Sequence, residues 1–200
     1  MGLLETLRQV FGSSAEADAT RDADPEDLFG MSTAYLTMEA DLDFAPTGDA
    51  ALCFGTVDST AFRSARAEVE AVLELGEEET GTTADFLADS HGYDWIVLHD
   101  SDFENLVTSI HFAADTLIEE GFGSRLLAAL FAFERDDTTA YWVYSFRRGA
   151  YYPFVPVGGS ERDGTLEFKL ESNLDGELEI EDDTSYWYPM WPEGDRHPWG

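Results

Sequence analysis

Carboxylates are the most abundant reactive groups in this chain, 42 of its 200 residues, and adjacent pairs such as Asp136-Asp137 and Asp182-Asp183 invite an acid–base reading. A general acid needs a raised pKa, which requires desolvation, and these pairs stand in polar runs that predict solvation. With so many acids, close pairs also arise from composition alone. The four histidines, His91, His99, His111 and His197, make no HxxxH or HExxH pattern, so a zinc site is not expected. His91 suits a hairpin turn, and His111 borders a helical stripe, where a hydrogen-bonded structural role outweighs ligation. His99-Asp100-Ser101 holds the residue types of a triad, yet neighbours on a strand end and a helix start cannot converge on one atom. Gly121-Phe122-Gly123-Ser124 is too short to cradle a phosphate and precedes a strand rather than a helix. Cys53, the single cysteine, excludes an internal disulfide and a paired-cysteine metal site. No catalytic, cofactor-binding or metal-ligating residue is assigned from these patterns, and no cofactor is expected.

Two features suit protein recognition instead. Arg147-Arg148 is the only adjacent basic pair, able to grip a partner's carboxylates or to pair with the protein's own acids. The stretch Tyr151-Tyr152-Pro153-Phe154-Val155-Pro156-Val157 and the tail from Trp187 to Trp191 concentrate rings and prolines. Their rings either close one end of the core or form an exposed ridge for a partner, and core closure is the more ordinary outcome. The candidate partner contacts are therefore Arg147, Arg148, Tyr151, Tyr152, Phe154, Trp187 and Trp191.

The elements that hold these residues follow from periodicity and turn chemistry. Leu3, Leu4, Leu7, Val10 and Phe11 predict a short amphipathic helix over residues 1–12, tethered by an acidic linker over 13–27. A single domain follows over 28–192, with a C-terminal tail over 193–200. Within it the pattern predicts a helix over Met31 to Asp41, a turn at Ala45-Pro46-Thr47-Gly48 and a strand from Ala50 to Val57. A helix from Thr60 to Leu75 is expected to stop at Gly76, leaving Glu77 to Gly81 as a loop. Strands over Thr82 to Asp89 and Tyr93 to His99 precede a helix starting at Ser101, whose hydroxyl and Glu104 suit a capping box. Leu126 to Phe133, Thr139 to Phe146 and Tyr151 to Val155 read as a meander, the last an edge strand or strap because of Pro153 and Pro156. Arg162 to Asn173 closes the series as a helix, and the aromatic tail is expected to pack back onto the domain. The fold class is α+β, a mainly antiparallel sheet covered by helices on one face.

Charge sets the surroundings. Against the 42 acids stand 11 bases, of which only Lys169 is a lysine, for a formal net charge of −31. In molar salt the screening length falls to roughly 3 Å, and such charges hold water instead of opposing compaction. The balance describes a halophile. A hydrophobic fraction of 44% and an aromatic fraction of 14% argue against an acidic disordered chain. Nucleic acid is disfavoured as a partner because no Lys/Arg cluster exists to displace counterions. No apolar run approaches the roughly 20 residues of a membrane span, and no signal peptide is apparent, so a cytoplasmic protein is expected, at most peripheral to the inner face of the membrane.

Several segments in order resemble one family: Met1-Gly2-Leu3-Leu4, Ala45-Pro46-Thr47-Gly48 before Ala51-Leu52-Cys53-Phe54, and Ser90-His91-Gly92-Tyr93-Asp94-Trp95-Ile96-Val97-Leu98. Leu106-Val107-Thr108, Glu119-Glu120-Gly121-Phe122-Gly123, Tyr152-Pro153-Phe154-Val155-Pro156 and Trp187 to Trp191 continue the likeness. The chain is similar to the PspAB family of PspA-associated proteins, departing from it in the long acidic linker. The resemblance implies an accessory role in an envelope-stress system built on PspA, a coiled-coil guardian of the membrane. A PspA-like coiled coil or another member of that system is then the expected partner. By fold analogy alone, the element order is also similar to that of small secretion-chaperone-like domains. Two alternatives stay open: an enzyme, for instance a hydrolase, with a site assembled from residues distant in sequence, and a membrane-surface protein acting through its N-terminal helix.

Overall fold

A computed structural model of the chain describes residues 22, 24–88, 92–191 and 199. The amphipathic helix expected over 1–12, most of the linker and His91 and His197 lie outside these residues.

Six strands form one antiparallel sheet: β1 (Ala45–Gly55), β2 (Thr83–Ala88), β3 (Tyr93–His99), β4 (Leu126–Arg135), β5 (Thr138–Ser145) and β6 (Ala150–Phe154), in the spatial order β2-β3-β1-β4-β5-β6. Helices α1 (Met31–Leu42), α2 (Thr60–Thr80), α3 (Phe103–Glu119) and α4 (Gly164–Leu174) follow the same chain order. Two short strands, β7 (Pro156–Gly158) and β8 (Glu161–Arg162), make a separate hairpin. The expected α+β class and antiparallel sheet are what the chain adopts.

The two faces of the sheet belong to different apolar layers. Leu52, Phe54, Ile96, Leu98, Phe131, Trp142 and Tyr144 pack with helix residues such as Met38, Val69, Leu106 and Ile110. Their strand neighbours Ala51, Cys53, Trp95, Val97, Leu130 and Val143 form a second layer with Trp187 and Met190 of the C-terminal segment. This follows from strand periodicity, since alternate side chains point to opposite faces and these strands are apolar on both. Trp187 and Met190 are 5% and 4% exposed, so the aromatic tail does fold back, as expected from its composition.

Several boundaries differ from those expected. The segment Ala45 to Gly48 is no free turn, for β1 begins at Ala45: Pro46 pairs with Phe133, the register slips, and Ala50 pairs with Phe131. Gly48 makes the slip possible. Its φ is +89°, and a Cβ there would meet the Asp100 carbonyl at 3.0 Å, which only glycine avoids. Helix α2 runs past Gly76 to Thr80, so the expected acidic loop is helical and the stop is Gly81, left-handed at φ 85°. A mid-helix glycine costs only about 1 kcal/mol, and Glu77 to Glu79 are good helix formers. Helix α3 is capped by Asp102 rather than Ser101: its carboxylate accepts the Glu104 N–H at 3.0 Å, and a charged oxygen is the stronger partner for a helix N-terminus. Helix α4 starts at Gly164, capped by Asp163, and Arg162 lies in β8. Pro25–Gly30, at the junction of the expected linker and domain, forms a 3-10 turn that buries Pro25 and Leu28.

Candidate protein-binding surface

On neighbouring strands the register sets Asp49 opposite His99, and His99 Nδ1 lies 2.5 Å from Asp49 Oδ1. Its Nε2 is 3.7 Å from Asp85 on β2. His99 therefore pairs with strand neighbours and not with Asp100 or Ser101, so the triad residue types do not converge. Asp100 is held by its surroundings instead. Burial alone would raise its carboxyl, but the Asp102 N–H, the Thr82 hydroxyl and the Asn105 amide donate to it and hold it below the usual value. His111 lies on α3 with Nε2 3.1 Å from Glu26, a structural bond between that helix and the 3-10 turn. Among the described residues, no group of three or more His, Cys, Asp and Glu is placed to hold a metal.

Arg147 and Arg148, open in the sequence to a partner's carboxylates or to the protein's own groups, both bond within this chain. Arg148 donates to both oxygens of Glu181, through Nε at 2.6 Å and Nη2 at 3.3 Å, with its guanidinium 3.9 Å from the Tyr186 ring centre. Arg147 donates from Nη2 to the Ser124 carbonyl at 2.6 Å. The same holds for the aromatic ridge: Tyr151 is 1% exposed, Tyr152 3% and Phe154 0%. Strand β6 is the sheet edge, as Pro153 suggested, yet Tyr151 also pairs with the chain at Ile180, its N–H donating to Glu179 and its carbonyl accepting from Glu181. The Tyr151 hydroxyl reaches the Leu28 carbonyl at 3.1 Å, and burial raises its pKa well above the ordinary tyrosine value. Trp187 donates from Nε1 to the Glu181 carbonyl at 2.8 Å, and Trp191 sets its ring edge-on to Phe154. Of the two outcomes open to the segment, its rings take the more ordinary one and close the core.

Sequence reasoning overlooked the residue that organises this corner. Arg162 forks onto Glu167, donating from Nε to both carboxylate oxygens at 2.8 Å, and reaches the Trp187 carbonyl at 2.8 Å and the Pro153 carbonyl at 3.4 Å. Glu167 also accepts the Val155 N–H at 2.8 Å. Burial raises the Glu167 carboxyl, and the bonds from Arg162 and Val155 oppose it. Nothing in the local sequence marks this pair, since Glu167 is one of 42 acids.

Large apolar side chains do reach the surface on the helical side. Phe112 on α3 is 50% exposed and Phe29 in the 3-10 turn is 38% exposed. They flank His111, whose ring centre is 4.7 Å from Phe29 and 5.6 Å from Phe112. Leu36 on α1 is 52% exposed, and it follows Phe29 by seven residues through the 3-10 turn into the helix. None of these was singled out from sequence, because in an apolar-rich helix a buried and an exposed phenylalanine look alike.

No helix among the described residues is long and apolar enough to cross a membrane. Comparison with curated proteins and with solved structures gave no match. A comparison with family models did: residues 1–199 match PspAB, PspA associated protein B, and the chain therefore belongs to that family.

Proposed function

We propose that this protein is a non-enzymatic binding factor of a PspA-type envelope-stress system, cytoplasmic and at most peripheral to the membrane, acting in a cell with a high-salt interior. The observation that carries the reading is the family match over 1–199, whose description names association with PspA. The partner is a PspA-like coiled coil or another protein of the same system. Contact is expected on the helical side, at Phe29 and Phe112, because half-exposed rings beside a packed histidine offer anchor area at little entropic cost. Arg147 and Trp191, each partly exposed, are secondary candidates, whereas Arg148 is committed to Glu181 and the buried Tyr151, Tyr152, Phe154 and Trp187 support the surface from within. Tagged protein should recover a PspA homologue from a lysate kept at molar salt, and Phe112→Ser should reduce the recovery without unfolding the chain. A lysate that yields no PspA-system protein with folded bait would sink the reading.

A further inference from the structure

The two edges of the sheet are treated differently. At β6 the chain closes its own edge, with Pro153 removing a donor and the segment at Glu179 to Glu181 pairing with Tyr151. At the opposite edge, no strand among the described residues pairs with the outer side of β2. The strand Thr83-Ala84-Asp85-Phe86-Leu87-Ala88 carries no proline, lysine or glycine, and its pairing with β3 is regular throughout, with no bulge. Edge strands left this way recruit another strand unless blunted. Leu87 is 44% exposed on that edge, and Asp85 is its only charge.

We propose that the outer edge of β2 pairs antiparallel with the same edge of a second copy, about a two-fold axis at Phe86, giving one continuous sheet. The sequence of the strand is self-complementary in that register. Phe86 faces Phe86 and Ala84 faces Ala88 on the helical side, while on the other face each Asp85 stands opposite the second copy's Leu87. Opposed residues of an antiparallel pair lie on the same face, so the two nearest competing two-fold registers centre on residues 85 and 87: the first sets the two Asp85 carboxylates against each other, a destabilising pair, and the second pairs only Phe86 to Ala88 of the strand. A two-fold contact uses one patch twice and therefore closes at the dimer. With −31 charges on each copy, the association requires screening and so belongs to molar salt. The proposal does not depend on which protein the helical side binds.

Light scattering on the full chain in molar KCl should give the mass of a dimer that dissociates on dilution. Leu87→Asp, which sets acid against Asp85 at both symmetry-related positions, should shift the mass to the monomer, whereas Leu87→Arg should tighten the dimer by up to about thirtyfold through two cross-strand pairs. Both changes fall on an exposed side chain, so folding should survive, and circular dichroism checks it. Mild oxidation of Phe86→Cys should give a covalent dimer, because opposed residues bring their Cβ atoms within about 5.5 Å, while Asp85→Cys should not. The native thiol, Cys53, is buried and does not compete. A wild-type chain that stays monomeric at every concentration overturns the proposal, as does a dimer unmoved by Leu87→Asp. Cross-linking through Asp85→Cys instead of Phe86→Cys overturns the register.

Discussion

Arg162 and Glu167 show how a single ion pair can organise one end of a domain. Removing one partner of a buried pair leaves an unpaired charge, so Arg162→Ala is expected to cost about 3 kcal/mol at neutral pH, measured by denaturant unfolding in molar salt. The pH dependence carries the sign. Burial holds the Glu167 proton more tightly in the folded chain than in the unfolded one, a contribution that favours folding in acid and fades as pH rises through the folded value. Without Arg162 that shift grows, so part of the deficit should vanish as the pH falls from neutrality toward about 5. Asp100 behaves oppositely. Its depressed carboxyl stabilises the fold above the ordinary aspartate value and loses that contribution as pH falls through the folded value. Asp100→Asn should therefore destabilise most at neutral pH, with the gap to wild type closing below about pH 4.

At the scale of elements, the C-terminal strap closes the β6 edge with its backbone and is clamped there by a side chain. Arg148 clamps Glu181, and the backbone of Tyr151 pairs on both sides of Ile180. Arg148→Ala should speed hydrogen exchange at the Tyr151 and Glu181 amides by local opening while leaving β4 and β1 protected; equal acceleration everywhere would mean that the clamp is global. Much of this architecture was legible in the sequence. Alternating and continuous apolar runs located β3, β4 and β5, and the stripe from Phe103 to Leu117 located α3. What stayed hidden was set by tertiary partners. Gly48 looks like a turn residue in the sequence and serves as a bulge because the Asp100 carbonyl sits against it. Gly76 looks like a stop and is helical because Gly81 supplies the left-handed cap. The rings from Tyr151 to Phe154 carry the same composition whether exposed or buried, and only the strap and Arg162 decide which. Phe29 and Phe112 were invisible for the same reason in reverse.

Over the whole molecule, charge and family membership point in compatible directions. A chain at −31 with an extensive two-layer core should be cooperative in molar KCl and lose stability as salt is withdrawn. A melting temperature that falls steadily between molar and tenth-molar KCl is expected, and one that is flat would remove the high-salt reading. The proposed partner rests on the family match, and the proposed contact on the exposed rings of the helical side. The most direct measurement titrates purified PspA homologue from the same cell into this protein by calorimetry in molar KCl. Saturable binding that weakens at least tenfold with Phe112→Ser is the expected result, the loss of about 1.4 kcal/mol being that of one anchoring side chain. Absence of any binding between two folded proteins under that salt would contradict it.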